Sequence, residues 1–269
     1  QDIDFRVESN GLANAFLVNA GTDQVVVGEG TLPGTPGGAT PVFNVVGTAG
    51  ATTTMNFHRG SGNAGAPVFY FSKSRSGTLG SFTSVNNADQ IGEIDFCADD
   101  GTDINSTCAR IRVAIDGTPG SNDVPGRIVF FTTADGSASP TERFRIAANG
   151  DLTATDTSIG SNSDSRLKEN VADYTYDISK FKQFQAKTFD WKNPAEHNGK
   201  TGNRGFIAQE VAAIDDYWTD EVSIESDTED AKLITADSEG IHKAYTLKLG
   251  KKDAMYVSVI QQLIARIEA

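Results

Sequence analysis

The chain has 269 residues, enough for one large or two modest domains, and carries a formal net charge of −13 at pH 7. This acidic balance argues against a nucleic-acid partner, because phosphate binding requires a basic surface; host-surface sugars or proteins, or self-association, are favoured instead. No apolar run of about 18 residues is present, so no membrane span is expected. The chain opens without a cleavable signal peptide, and its start at Gln1 and its end within an apparent helix predict a fragment.

Residues 1 to about 150 are predicted to form short antiparallel β-strands. Runs such as QVVVGEG, PVFNVVGTAG, PVFYFSKSRSG, EIDFCADDG and RIVFFTTADG each end in Gly. In RIRVAI the apolar Ile111 and Val113 flank Arg112, an alternation typical of strands. The Gly and Pro content of residues 28–41 predicts a loop. FRVESNG at 5–11 is echoed by FRIAANG at 144–150, each ending in an Asn-Gly turn, which suggests modular β units along a fibre.

Two cysteines, Cys97 and Cys108, flank ADDGTDINST in a predicted hairpin. A disulfide and a pair of free thiols both stay open, because sequence alone does not fix the geometry of the pair. The three histidines, His58, His197 and His242, lack partners at metal-ligand spacing, so no metal site is expected.

After residue 160 the pattern changes to helices mixed with strands. Ile178, Phe181 and Phe184 have helical spacing, and Phe189 and Trp191 then alternate as in a strand. In GFIAQEVAAI the apolar residues recur at three- and four-residue spacing, which predicts an amphipathic helix over residues 205–214.

The end of the chain carries a short heptad-like pattern. The residues at its a and d positions are Tyr256, Ile260, Leu263 and Ile267. This spacing favours helices packed side by side in a coiled coil, although a surface helix packed on its own core shows the same pattern.

The junction between the two regions reads SNSDSRLKEN, residues 161–170. A serine becomes a good nucleophile when a base removes its proton, and a lysine is such a base in its neutral form, which burial and nearby positive charge favour. Arg166 would supply positive charge near Lys168, and Glu169 would oppose it. Ser163 and Lys168, five residues apart, lie roughly 140° apart on a regular helix and on opposite sides of a strand. A functional pair therefore needs an irregular turn, or a lysine that serves a neighbouring chain.

Three segments, SDSRLKEN, GFIAQEV and YVSVIQQLIARIEA, together resemble the C-terminal intramolecular chaperone domain of phage tailspikes, tail fibres, neck appendages and endosialidases, which is shared by the myelin regulatory factor family. The resemblance covers about residues 160–269. The preceding region resembles a phage fibre or spike stem more loosely. The implied architecture is an all-β fibre or spike region over residues 1–160, then an α+β chaperone domain over residues 161–269 that ends in a long helix forming a trimeric coiled coil.

The resemblance also implies an activity. The domain would drive homotrimer assembly and then cut the Asn162-Ser163 bond, with Ser163 as nucleophile, Lys168 as general base and no cofactor or metal. According to the resemblance, the chain would be a single-turnover self-cleaving serine endopeptidase of the virion. Its chaperone domain would act in the infected host cytoplasm. A host receptor or polysaccharide is a further expected partner.

Other positions match the motifs with less definite roles. Asp164 is expected to cap a helical turn, and Arg166 to serve either the site or an ion pair. Gln209 and Glu210, in the AQE block, would lie near the site or at the trimer interface. Family members often carry a proline shortly after this block, where this chain has AAIDDYWTDEV, so the local loop is in doubt.

Three alternatives stay open. The first is a trimeric structural or receptor-binding fibre tip whose chaperone domain is not cleaved. The second is a carbohydrate-degrading tailspike, which needs a pair of carboxylates facing a sugar; clustered acids such as ADDGTD are more often solvated turns. The third is a myelin-regulatory-type factor, which should bring a basic DNA-binding module that residues 1–160 lack.

Overall fold

The computed structural model describes residues 4–9, 12–21, 23–28, 36–38, 41–50, 53–156, 158, 160, 162–194, 197, 201–248 and 252–269. The chain divides into two compact units, Gln1–Thr157 and Ser158–Ala269. The first Asn-Gly turn, at residues 10–11, and most of the predicted loop over residues 28–41 lie outside the described residues.

The first unit contains a four-stranded sheet in sequential order. Its strands are β1 (Phe5–Ser9), β2 (Leu12–Asn19), β3 (Gln24–Gly28) and β4 (Phe43–Val46). The first two pairings are antiparallel, but β3 and β4 are parallel. The purely antiparallel prediction is therefore wrong here. The chain leaves β3 through a long connection rather than a tight hairpin, and a connection of that length allows the next strand to enter in the same direction.

The first unit also contains a five-stranded antiparallel meander. Its strands are β5 (Gln90–Ala98), β6 (Ser106–Ile115), β7 (Gly126–Thr132), β8 (Thr141–Ile146) and β9 (Leu152–Ala154). The predicted turn at Asn149 and Gly150 joins β8 to β9, and Gly150 has φ +80°, a conformation that favours glycine. Cys97 and Cys108 are free thiols on neighbouring strands, so the disulfide alternative is not realised.

One predicted strand is wrong. The run PVFYFSKSRSG, residues 67–77, forms no strand, and most of its side chains are exposed. Within the described chain, residues 55–73 make no backbone-to-backbone hydrogen bond. Strand propensity is present, but none of the segments that the structure describes pairs with this one.

The second unit is smaller and mixed. Its described residues include two antiparallel strand pairs and three α-helices: β10 (Lys187–Phe189), β11 (Asn203–Gly205), β12 (Thr219–Ile224), β13 (His242–Leu247), α1 (Ile178–Phe181), α2 (Ala208–Ile214) and α3 (Asp253–Ile267). The core consists of Tyr176, Val211, Trp218, Met255 and Val259. The predicted terminal helix is present as α3 with 15 residues, and the described residues do not show the longer helix that was expected. Among the residues the structure describes, no helix has the length and apolar character to cross a membrane.

Candidate functional site

The junction segment folds into an irregular turn. A short 3₁₀ helix spans Ser165–Leu167, and the residues at both of its ends, Asp164 and Lys168, have extended backbones. The Asp164 carboxylate accepts a hydrogen bond from the Arg166 backbone N–H at 2.8 Å, which is the expected capping role. The Lys168 backbone N–H donates to the Ser165 carbonyl at 3.1 Å and closes the turn.

This turn brings Ser163 and Lys168 together. Lys168 Nζ donates a hydrogen bond to Ser163 Oγ at 2.6 Å, within one chain. Neither a regular helix nor a strand would allow this contact at a separation of five residues. The arrangement places an amine within proton-transfer distance of a hydroxyl that directly follows the Asn162 carbonyl.

Arg166 forms an ion pair with Asp164, so its positive charge is not directed at Lys168 alone. Its Nη2 lies 2.6 Å from Asp164 Oδ2. The side-chain hydrogen bond from Arg166, followed by the one from its backbone, lowers the pKa of Asp164. The positive charge expected to favour a neutral Lys168 is therefore partly offset by a neighbouring carboxylate.

The site is open to water in the single chain. Residues 162–170 are all exposed, including both Ser163 and Lys168. A neutral lysine base is favoured by removal from water. The single chain thus provides the contact between the two side chains but not the burial that would activate it.

Gln209 and Glu210 do not join this pair. Both lie exposed in the first turn of α2, and Glu210 Oε2 is 3.2 Å from Lys187 Nζ on β10. Within the described residues, no contact links either side chain to Ser163 or Lys168. In the single chain Glu210 links α2 to β10 through this ion pair.

The terminal helix has two different apolar faces. Met255, Ser258 and Val259 are buried against the core of the second unit. The predicted a and d positions are exposed instead: Tyr256 40%, Ile260 54%, Leu263 46% and Ile267 84%. The heptad-like face, which we call the α3 seam (Tyr256, Ile260, Leu263, Ile267), is therefore largely exposed, although at its first residue the Tyr256 ring also lies 6.4 Å from the Phe181 ring of the same unit.

Sequence reasoning did not predict the two hydrogen bonds that fix the orientation of α3. The Tyr176 backbone N–H donates to Ser258 Oγ at 2.9 Å, and Gln262 Nε2 donates to the Tyr176 carbonyl at 2.9 Å. The available signal was a polar pair, Ser258 and Gln262, at four-residue spacing on one side of an otherwise apolar helix.

Two histidines of the second unit have structural partners. His197 Nε2 lies 2.6 Å from Asp230 Oδ2, and its ring stacks on Trp191 at a centroid distance of 3.7 Å. His242 Nδ1 lies 2.6 Å from the Ile234 carbonyl. No group of three or more potential ligands for a metal ion occurs within the described ranges.

Comparison with known proteins finds one family model that matches part of the second unit, including the candidate site. Residues 163–222 match the family model Peptidase_S74, described as chaperone of endosialidase, which confirms the resemblance for this segment. Two solved structures of the bacteriophage T5 L-shaped tail fibre are similar. Its carboxy-terminal domain with the intramolecular chaperone domain is 14% identical with a TM-score of 0.43, over 94% of this chain and 76% of that one. The carboxy-terminal domain is 15% identical with a TM-score of 0.42, over 61% and 66%. No curated protein matches the chain.

Proposed function

We propose that this chain is a segment of a phage tail fibre or tailspike, with a β-rich stem over residues 1–160 and a self-cleaving intramolecular chaperone over residues 161–269. The chaperone assembles a homotrimer and then cuts the Asn162-Ser163 bond. The observation that carries this proposal is the 2.6 Å contact between Lys168 Nζ and Ser163 Oγ, at the start of the segment that matches the chaperone family.

The chemistry follows from the positions of the two side chains. Neutral Lys168 takes the Ser163 hydroxyl proton, and Oγ attacks the Asn162 carbonyl carbon. The C–N bond between the two residues breaks, and its nitrogen takes the proton back from Lys168. The resulting ester links the Asn162 carbonyl to Ser163 Oγ. Water then hydrolyses this ester, which leaves a carboxylate on Asn162 and restores the Ser163 hydroxyl.

Assembly is the step that activates the pair. Both side chains are exposed in the single chain, so a neighbouring chain must exclude water before Lys168 loses its proton. This makes cleavage conditional on correct assembly. Removal of the chaperone then leaves a stem that cannot unfold by the reverse route, which gives kinetic stability.

The α3 seam is the proposed trimer contact of the chaperone. Its four apolar side chains are at least 40% exposed, while the opposite side of α3 is held by Ser258 and Gln262. Three seams packed around one axis would form a short trimeric coiled coil. Such an anchor brings three chains into register before the slow pairing of non-local β-strands.

The product belongs to the virion, with the chaperone acting in the infected host cytoplasm and the stem available to a host receptor or polysaccharide. Sugar cleavage by the acidic ADDGTD turn is not favoured. The Asp99 and Asp100 carboxylates accept backbone hydrogen bonds from Gly101, Thr102 and Asp103, so they stabilise the turn between β5 and β6.

Intact-chain mass spectrometry tests the proposal. The wild type should appear as fragments 1–162 and 163–269, whereas Ser163→Ala and Lys168→Ala should stay whole. Ser165→Ala, which removes an exposed hydroxyl two residues away, is the matched control and should be cut. If the wild-type chain stays whole and is trimeric by native mass, the proposed cleavage is wrong. The alternative of a trimeric fibre tip with an uncleaved chaperone domain would then be favoured.

A further inference from the structure

The five-stranded meander has one face covered by charge. Along β5 and β6, Arg110 Nε lies 2.5 Å from Asp95 Oδ1 and Arg112 Nε lies 2.5 Å from Glu93 Oε1. On β8, Arg145 pairs with Glu142 at 2.7 Å. These ion pairs are only partly exposed, and Val129, which lies opposite Arg112 and Arg145 in the strand register, is buried beneath them, so this face is already covered within the single chain.

The other face of the meander is apolar across its width. The strand register places the apolar side chains in two rows across the sheet. One row runs through Ile94, Ile111, Phe130 and Phe144, and the other runs through Val113, Ile128, Ile146 and Leu152. We call this set, together with Phe96, the apolar sheet face. Its exposed fractions reach 47% at Ile94, 50% at Phe96, 39% at Val113, 38% at Ile128 and 66% at Leu152.

The exposed area of this face matches the largest apolar patch expected on a soluble monomer. Taking on the order of 200 Å² for a large apolar side chain, these five fractions amount to roughly 500 Å². The largest apolar patch on a soluble monomer is about 300–600 Å² and is often functional. The face is therefore of the size expected for a binding surface.

An aromatic segment extends this face. Phe71 contacts Gly92 so closely that a Cβ on Gly92 would lie 2.7 Å from Phe71 Cβ, and an apolar groove lined by Phe69, Ile94 and Val113 runs between the segment and the sheet. Phe69 and Tyr70 are 63% and 83% exposed and add roughly 300 Å². The total approaches the ~800 Å² that each partner buries in a standard interface.

The backbone of the same segment has few partners, and those recorded, at Asn63, Gly65 and Ala66, are side chains of the segment itself. Within the described chain, residues 55–73 form no backbone-to-backbone hydrogen bond, although their sequence has strand character. A partner that offers strands would satisfy these groups and cover the aromatic side chains together.

We propose that the apolar sheet face and residues 55–73 form the inter-chain core of the stem, and that their occupant is a second and third copy of this chain. This inference rests on the proposed trimer and adds the contact that holds the stem after the chaperone has left. A copy of the same chain brings both an uncharged apolar face and strands that need partners. A sugar would require polar groups across its binding surface, whereas the central part of this face is apolar and Thr132, with its partner Arg143, lies at the end of β7.

Cross-linking tests the inference without requiring cleavage. The whole chain carries Ser163→Ala, Cys97→Ser and Cys108→Ser, with either Ile128→Cys on the apolar face of the central strand β7 or Thr153→Cys on the opposite face of β9. Native mass is measured first, and each variant is then treated with a short bismaleimide or with a monofunctional maleimide.

The expected result is a trimer in which the bismaleimide cross-links Ile128→Cys between chains. In this trimer Ile128→Cys should also react with the monofunctional maleimide at least tenfold more slowly than Thr153→Cys. A trimer in which the two thiols react equally fast, or in which Ile128→Cys gives no cross-link, would overturn the inference and leave the chaperone trimer standing. A monomer by native mass would instead contradict the proposed assembly itself.

Discussion

The backbone N–H of Tyr176 donates a 2.9 Å hydrogen bond to Ser258 Oγ across a separation of 82 residues. This contact fixes which side of the terminal helix faces the core of the second unit. It therefore also fixes which side, the α3 seam, faces outward. The proposed trimer contact depends on this orientation.

Loss of this contact should destabilise the second unit. Ser258→Ala leaves the Tyr176 N–H buried without its acceptor, and an unsatisfied buried donor costs about 1–3 kcal/mol. Denaturant unfolding followed by tryptophan fluorescence measures the change, because Trp218 lies in the same core. Ser223→Ala, at an exposed position of β12, is the control. Equal midpoints for the two variants would show that the contact does not stabilise the unit.

The α3 seam should control assembly. Leu263→Asp places a charge among apolar side chains that the trimer would bury, so we expect monomers by native mass at micromolar concentration. Gln261→Asp, on an exposed position away from the seam, adds the same charge and should remain trimeric. Monomers should also stay uncleaved, because cleavage depends on burial of Lys168. A trimer formed by Leu263→Asp would rule out the seam as the contact.

Asp164 should affect the rate of cleavage rather than assembly. Asp164→Ala removes the cap of the 3₁₀ turn that brings Lys168 to Ser163, so cleavage should slow several-fold while the trimer persists. Asp164→Asn keeps a capping oxygen and should recover most of the rate. Quantitative mass spectrometry of the uncut chain over time measures this. If both variants cleave at the wild-type rate, the cap has no part in positioning the pair.

Tyr176 should make stability sensitive to alkaline pH. Burial, with a smaller effect of Asp215, raises the pKa of the Tyr176 hydroxyl to about 12. The unfolded chain has a tyrosine pKa of about 10, so the contribution to stability is complete below about pH 10 and is lost as pH rises toward 12. The pKa values of Tyr174 and Tyr245 are also raised, by burial and by the Glu221 hydrogen bond respectively, so a tyrosinate absorbance titration should show several late phases, of which Tyr176→Phe removes the last. An unchanged titration in that variant would refute the assignment.

Sequence patterns predicted those elements of the fold whose formation depends on residues close together in the chain. The strands from β5 to β8 follow from alternation closed by turns, and α2 and α3 follow from apolar spacing. The parallel pairing of β3 with β4, and the absence of a strand at residues 67–77, depend on distant partners that no local pattern specifies.

The candidate site was predictable only in part. The residues Ser163 and Lys168 stand out by motif, but their separation of five residues is compatible with contact only through the 3₁₀ turn that Asp164 caps. The a and d pattern of α3 did not distinguish a core-facing side from an outward one. That distinction depends on Ser258 and Gln262, whose partner, Tyr176, lies more than 80 residues away in the chain.

The central claim is that Ser163 Oγ forms an ester with the Asn162 carbonyl before the chain separates. The most direct test is to let the wild-type chain assemble in hydroxylamine and to measure the mass of the N-terminal product. The account predicts a product of residues 1–162 that ends in a hydroxamate, because hydroxylamine intercepts an ester, while Ser163→Ala in the same buffer stays uncut at this bond. Hydroxylamine also cuts Asn-Gly bonds, which occur at residues 10–11, 149–150 and 198–199, so products common to both chains are set aside. A hydroxamate at Asn162 in Ser163→Ala, or a wild-type product that always carries a plain carboxylate at Asn162, would contradict the account.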